Sequence, residues 1–358
     1  GDTDFDMLGI SDGDKYLSIH HLARSKKKNL EQVYAEEANY DIQWSLLVHL
    51  VDAYENFKRV RGKIDFTDMI EEFVRRDSPL DIDALFVDEA QDLSTLQWDM
   101  ISILRQTPRI QIFTGDDDQA IYEWNGADPR YFTRFFPGRK VRLRKTRRFG
   151  KAIHHLSQII RREIFNSEEK EYTCLEQEGY IKHYLNFREI PFHTLVGSWY
   201  ILGRINTTVN ELRMLAKDAG LYFSDNEDIK CFDQNQWEAI KAWTHLSNKK
   251  TINKKQVQKM YKYIRELKDP SFRTSKFWIT ESELEEYDFK KLVKYCGLDL
   301  PSTFQKKQWW HLLKRNFTSQ QVLYFLRLLK RYGQKELDQP PKIIIDTIHS
   351  VKGGEADH

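Results

Sequence analysis

Cysteine is scarce in this chain of 358 residues: Cys174, Cys231 and Cys296 are the only three. They lie far apart, so neither a zinc-ligand spacing nor a disulfide framework fits them, and free thiols in a reducing compartment are expected. No apolar run reaches the length of a membrane span. An excess of one charge is also missing. Lys and Arg number 56 against 54 Asp and Glu, a net charge of +2. The chain is no polycation, and nucleic-acid binding would have to come from local patches. The histidines are scattered; His20-His21 and His154-His155 are neighbours in sequence rather than ligands on one helix face. A phosphate-cradling loop of the form G-x-x-x-x-G-K-[ST] is absent as well. Gly62-Lys63 is followed by Ile64 and Gly150-Lys151 by Ala152, and neither has the earlier glycine.

Charged residues make up 31% and hydrophobic residues 40%, as in a globular protein, and the length calls for two or more domains. The most informative stretch is Asp81 to Ala127. Two apolar runs, Ala84–Val87 and Ile110–Phe113, each lead straight into acids. Between them Leu96, Met100, Ile103 and Leu104 follow helical spacing. A buried strand, a helix and a second buried strand make one unit of a parallel sheet, where chemistry gathers at the carboxyl ends of strands. Asp88, Glu89, Asp116 and Asp117 fall there. A hard cation such as magnesium takes carboxylate and phosphate oxygens, and a second carboxylate can accept a proton from attacking water. The competing reading makes these acids strand-ending turns or helix caps.

Asp88-Glu89-Ala90-Gln91-Asp92 and Gly115-Asp116-Asp117-Asp118-Gln119-Ala120-Ile121-Tyr122 together resemble motifs II and III of the UvrD/Rep/PcrA-like superfamily 1 helicases. The resemblance implies ATP and Mg2+ as cofactors. Asp88 would hold the metal, Glu89 would activate water and Gln119 would sense the terminal phosphate. It also implies that Tyr122 and Trp124 lie against single-stranded DNA, although Glu123 and Asn125 replace the family's usual Gly and Arg. Leu143 to Arg148 resembles motif IV, which makes Arg148 a terminal-phosphate contact, with Arg147 in reserve. Trp199 to Asn206 resembles a family strand ending in Arg-x-Asn. Arg204 is then a second phosphate candidate, or the member of a surface ion pair. Thr347 to Glu355, within Lys342–His358, resembles motif V; Thr347 and His349 would face the DNA backbone and Glu355 the nucleotide.

Elsewhere the residues speak mainly of packing. Arg24-Ser25-Lys26-Lys27-Lys28 reads as a solvated basic face, with a phosphate contact as the functional alternative. Asp65 or Thr67 can cap a helix over the amphipathic stretch that ends near Arg76. A dense positive run, Arg139 to Arg148, leads into a helix with Ile153, Leu156, Ile159 and Ile160. Asn210 to Ala219 should form a helix stopped by Gly220. Trp237, Ile240, Trp243 and Leu246 share one helical face in a region whose lysines are read chiefly as a solvated surface.

The expected fold is α/β, with two RecA-like parallel-sheet motor domains of the P-loop NTPase type, both incomplete, and helical insertions. Residues 1–55 would be a helical insertion and 56–138 the rest of the first motor domain. Residues 139–231 would open the second, 232–338 would be its helical insertion, and 339–358 would return to it. The resemblance implies an ATP-dependent DNA helicase or translocase moving 3′ to 5′ on single-stranded DNA and at junctions with duplex. It would be cytoplasmic and nucleoid-associated, bacterial or viral, with repair or replication proteins as partners. Two alternatives stay open: a scaffold that keeps the motor fold, and the motor of a helicase–nuclease. The missing phosphate loop is read as truncation of a longer chain. These 358 residues are therefore expected to show no appreciable ATP turnover. A hydrolysis assay checks this; DNA-stimulated turnover that Glu89→Gln abolishes would contradict it.

Overall fold

The computed structural model describes residues 12–37, 42–134, 138–163, 170–192, 196–273 and 286–358. The chain is mixed α/β with small parallel sheets. It divides into two compact units, Gly1–Leu185 and Asn186–His358. Residues 139–185, expected to open a second motor domain, group with the first unit.

The first unit begins with α1 (Asp12–Lys26), α2 (Leu30–Glu37), α3 (Trp44–Arg61) and α4 (Phe66–Arg76). Ile19, Val33 and Leu47 are fully buried and give the first three helices a common core. Asp65 is the cap of α4: its side chain accepts from the Asp68 N–H, and Asp68 returns a bond to the Asp65 N–H. Gly62 ends α3 in the left-handed conformation, φ 59°, which an L side chain adopts only with strain.

Charge joins these helices as firmly as apolar contact does. Lys58, 5% exposed, places its ammonium 2.8 Å from Asp65, 2.8 Å from Asp68 and 2.9 Å from Glu55. Arg24 reaches the same acids from α1, at 3.0 Å from Asp65 and 2.5 Å from Asp68, and meets Glu71 at 2.6 Å. Glu55, Asp65 and Asp68 cluster tightly enough to suggest a metal site, but Lys58 and Arg24 already supply the positive charge. The basic run 24–28 is thus largely engaged internally, with Lys27 paired to Asp99 and Lys28 to Glu36.

The strand–helix–strand unit follows. β1 (Ala84–Val87) and β2 (Ile110–Phe113) are parallel, with Val87 opposite Phe113, and α5 (Thr95–Leu104) crosses between them. Ser94 and Gln97 form a reciprocal cap at the start of α5. Trp98 and Ile101 of α5 pack with Val87 and Ala90. The expectation that both strands are buried needs correction. Helix α5 covers one face only, and Phe86, Ile110 and Ile112 are exposed on the two strands. Two further helices follow among the described residues, α6 (Pro129–Arg134) and α7 (Lys151–Arg162). On α7 the spaced apolar residues Ile153, Leu156, Ile159 and Ile160 are exposed.

The second unit holds a three-stranded parallel sheet in the order β3 (Trp199–Gly203), β7 (Ile343–Thr347), β4 (Phe223–Ser224). Helix α8 (Asn206–Asp218) packs on it through Val209 and Ala216; it begins four residues earlier than its spacing suggests. Between β4 and β7 lies a largely helical region with its own core. Its described residues include α9 (Gln234–Ser247), α10 (Lys254–Tyr261), α11 (Phe289–Tyr295) and α12 (Ser319–Leu337), with a short antiparallel pair, β5 (Ile252–Asn253) and β6 (Glu286–Tyr287). Trp237, Ile240, Trp243 and Leu246 are all at or below 1% exposure, so the spacing read from sequence is the buried face of α9. The three cysteines are free.

The acids of the α1–α3–α4 network make its stability sensitive to pH. Burial pushes the Asp65 and Asp68 carboxyls up, but bonds from Lys58, the capping backbone and Arg24 outweigh it and hold both below the usual range. With folded values under the unfolded reference of about 3.9, their contribution is full above that pH and is lost as pH falls through the folded values. Acid titration followed by circular dichroism should show helix loss setting in below about pH 4. Lys58→Met leaves the acids short of a cation and should cost about 3 kcal/mol in denaturant melts. An unchanged midpoint would contradict the network's role.

Candidate active site

The parallel register of β1 and β2 sets the two acidic loops side by side. The Thr114 N–H donates to Val87 O at 2.8 Å, and the Ala90 N–H donates to Thr114 O at 2.9 Å, so pairing continues past both strand ends. Asp88 therefore stands next to Thr114. Its Oδ1 accepts from the Thr114 hydroxyl and from the Glu89 N–H at 2.9 Å. These two bonds hold its carboxyl below the usual range, the hydroxyl being the larger cause. Asp88 is exposed and ionised, and both bonds fall on one oxygen. The arrangement fits a hard cation: the second oxygen can serve as the single carboxylate ligand that Mg2+ commonly takes beside waters and phosphate.

Glu89 sits in the left-handed region, φ 50°, ψ 41°, which is strained for a residue with a Cβ. A neighbour compensates. Gln91 is fully buried, and its Nε2 donates to Glu89 Oε2 at 2.5 Å. Its Oε1 accepts from the Asp116 N–H at 3.0 Å. One carboxamide thus joins the loop after β1 to the loop after β2. Gly115 leaves room for it: a Cβ there would lie 2.4 Å from Gln91 Oε1 and 3.2 Å from the Phe132 ring.

Asp116 carries the second loop. Its Oδ2 accepts from Gln119 Nε2 at 2.7 Å, and its Oδ1 pairs with Lys170 at 2.5 Å. Lys170 also meets Asp117 at 2.5 Å and Asp118 at 2.9 Å. Beyond this loop Tyr122 and Trp124 are half-buried, their ring centroids 6.3 Å apart. A cavity of about 400 Å3 opens beside Tyr122, lined in part by Phe66, Asp92, Gln97 and Asn125.

The structure brings Asp88, Glu89 and Gln119 to one sheet edge, with Tyr122 and Trp124 in the next turns. Arg148 is exposed in the same unit; its N–H donates to the Thr146 hydroxyl at 3.3 Å. In the second unit Gly203 lies opposite Thr347, and the Ile348 N–H donates to Gly203 O at 3.0 Å. Arg204 and Thr347 therefore leave adjacent strand ends. Thr347 Oγ1 accepts from the Ser350 N–H at 3.2 Å. His349 is half-buried, and Glu355 and Arg204 are exposed.

Gln91, Thr114, Gly115 and Lys170 were not singled out as site residues from sequence. Thr114 was open to discovery, since it directly follows β2 and the parallel register puts it opposite Asp88. The role of Gln91 rests on contact with a residue 25 positions away, which no local pattern reports. Gly115→Ala should push the Gln91 carboxamide out of place and cost about 1–3 kcal/mol. Denaturant melts and faster hydrogen exchange at the Asp116 amide check this. A variant with both unchanged would contradict the close approach.

Residues 11–137 match the UvrD-helicase family, described as the UvrD/REP helicase N-terminal domain. YjcD of Bacillus subtilis is 30% identical over 112 residues, covering 28% of this chain and 15% of that protein. ATP-dependent DNA helicase Rep of Escherichia coli is 32% identical over 108 residues, 27% of this chain and 16% of Rep. Rep of Buchnera aphidicola from Schizaphis graminum is 30% identical over 106 residues, 28% of this chain and 16% of its own length. Each match spans about a sixth of the relative. The matched residues include both acidic loops and the carboxamide-bridged edge they share, and over this stretch the chain is similar to the N-terminal domain of UvrD/Rep helicases.

Proposed function

We infer that this chain is part of an ATP-dependent DNA helicase or translocase that couples ATP hydrolysis to 3′–5′ movement on single-stranded DNA and to unwinding at duplex junctions. The two RecA-like motor domains of such an enzyme would be represented by the β1–β2 sheet and the β3–β7–β4 sheet. The observation that carries the reading is the shared edge of the first sheet. There an ionised Asp88 is fixed by Thr114, and Glu89 is linked through Gln91 to the loop that bears Gln119. The polarity of movement rests on family likeness alone.

In this reading each side chain has a task that its surroundings suit. Bound Mg2+ would supply charge to neutralise the phosphates. Asp88, ionised and held in one orientation, would be its protein ligand. Glu89 would accept the proton of the attacking water; the bond from Gln91 keeps its carboxylate aimed while the backbone is strained. Gln119, anchored on Asp116, would report on the terminal phosphate. Arg148 and Arg204 would neutralise it, and Glu355 would lie near the nucleotide. Planar exposed guanidinium groups suit bidentate phosphate contacts.

For the nucleic acid, Tyr122 lines a cavity of mixed aromatic and polar character and Trp124 neighbours Tyr122, the chemistry that accepts an unstacked base. Thr347 and His349 offer polar contacts to the sugar–phosphate backbone from the second unit. Repair or replication proteins would be the natural partners of such a motor.

A fluorescence titration of the chain with oligo-dT tests this. Trp124→Ala should weaken binding about tenfold, the loss of one stacked base, and binding should fall steeply with salt. No binding, or equal affinity after Trp124→Ala and after Thr347→Ala combined with His349→Ala, would contradict the reading.

A further inference from the structure

The arginine-bearing segment after residue 143 is not a free loop. It is zipped by backbone bonds to residues 173–178. The Thr173 N–H donates to Arg144 O at 2.8 Å and the Thr146 N–H to Thr173 O at 2.9 Å. The Leu175 N–H donates to Phe149 O at 3.1 Å, the Lys151 N–H to Gln177 O at 2.9 Å and the Ala152 N–H to Glu178 O at 2.8 Å. Gly150 allows this closeness, since a Cβ there would lie 2.3 Å from Gln177 O. Arg147 and Arg148 are therefore carried on a segment that shifts with 173–178 as one piece.

Lys170 stands three residues before that zipper and points the other way along the chain of contacts. Its ammonium lies within 2.9 Å of Asp116, Asp117 and Asp118 together. Lys170 is 20% exposed and Asp118 12%. Burial would lower the lysine's proton affinity, but the three carboxylates outweigh it and raise it. Asp116 is likewise held below the usual range against its burial, chiefly by Lys170. Adjacent carboxylates repel one another, and one shared cation offsets that repulsion. An ordinary exposed pair has no such demand on its partner.

Asp116 is also the node from which the rest of the edge is held. One oxygen takes Lys170 and the other takes Gln119, while its N–H is bonded to Gln91, whose amide in turn holds Glu89. Displacing Lys170 would loosen Asp116 and, through it, both side chains.

We propose that Lys170 is a positioning residue: an ionic latch by which the location of the arginine-bearing segment sets the orientation of Gln119 and of the Gln91–Glu89 pair. A lysine suits a contact that must release, because its compact charge on a flexible stem makes no fixed bidentate fork. Calling its targets catalytic rests on the proposed helicase reading, but the latch itself rests on the contacts of Lys170 with Asp116, Asp117 and Asp118.

Hydrogen exchange by NMR on the whole chain tests it. Lys170→Met keeps the stem and removes the charge. Exchange at the Asp116 amide and the Gln91 carboxamide should rise about tenfold, together with the Thr146 and Lys151 amides, because local opening of linked contacts is shared. Lys170→Arg should restore the slow rates within about twofold, and the milder Asp117→Asn should raise them about threefold. A rise confined to Thr146 and Lys151 would make Lys170 a simple pin for its own segment and overturn the proposal. So would rates unchanged in both Lys170→Met and Asp117→Asn. Failure here leaves the oligo-dT result standing, and failure of DNA binding leaves these exchange rates as expected.

Discussion

The buried carboxamide of Gln91 is the contact on which the candidate site depends. A side-chain amide with no solvent must have both ends bonded or cost about 1–3 kcal/mol. Here one end meets Glu89 and the other the Asp116 N–H, so the two loops cannot drift apart without stranding it. The same contact explains why position 115 is a glycine and how Glu89 can stay in a left-handed backbone conformation. A strained acid held by a satisfied neighbour is a preorganised group, which is what proton transfer from water requires.

Electrostatics is handled in two different ways in the first unit. Around Lys58 and Arg24, acids and bases from three helices are packed together about a buried lysine and act as structure. At the ends of β1 and β2 the acids are divided. Asp116, Asp117 and Asp118 have their cation supplied internally by Lys170, whereas Asp88 is bonded through one oxygen to neutral donors. A divalent ion arriving at this edge would meet in Asp88 an exposed carboxylate with no lysine on it and one oxygen outside its two bonds. The chain thereby separates the carboxylates that hold the loop from the one that can hold a metal.

Much of the fold was legible because its signals are local. The runs Ala84–Val87 and Ile110–Phe113 are β1 and β2 to the residue, and the tryptophan spacing of α9 is its buried face. Asp65 caps α4 as its sequence suggests. Signals that depend on distant partners were not legible. Arg24 reads as part of a solvated basic face because its acids come from beyond its own helix. In α5 the apolar spacing points to Leu96, Met100, Ile103 and Leu104; Leu96 and Ile103 are buried and Met100 and Leu104 half-buried, while Trp98 and Ile101, outside that spacing, are buried where the sheet lies against the helix. Lys170 lies 54 positions from Asp116, with nothing in its own neighbourhood to mark it. The exposed face of β1 and β2 was misjudged because an apolar run does not say how many of its faces are covered.

The division of labour among the carboxylates is the central claim, and Mn2+ in place of Mg2+ addresses it directly. In NMR spectra of the chain titrated with Mn2+, paramagnetic broadening should centre on the amides of Asp88, Glu89 and Thr114 and should vanish in Asp88→Asn. Broadening centred on Asp116 to Asp118, with Asp88 and Thr114 unaffected, would contradict the account.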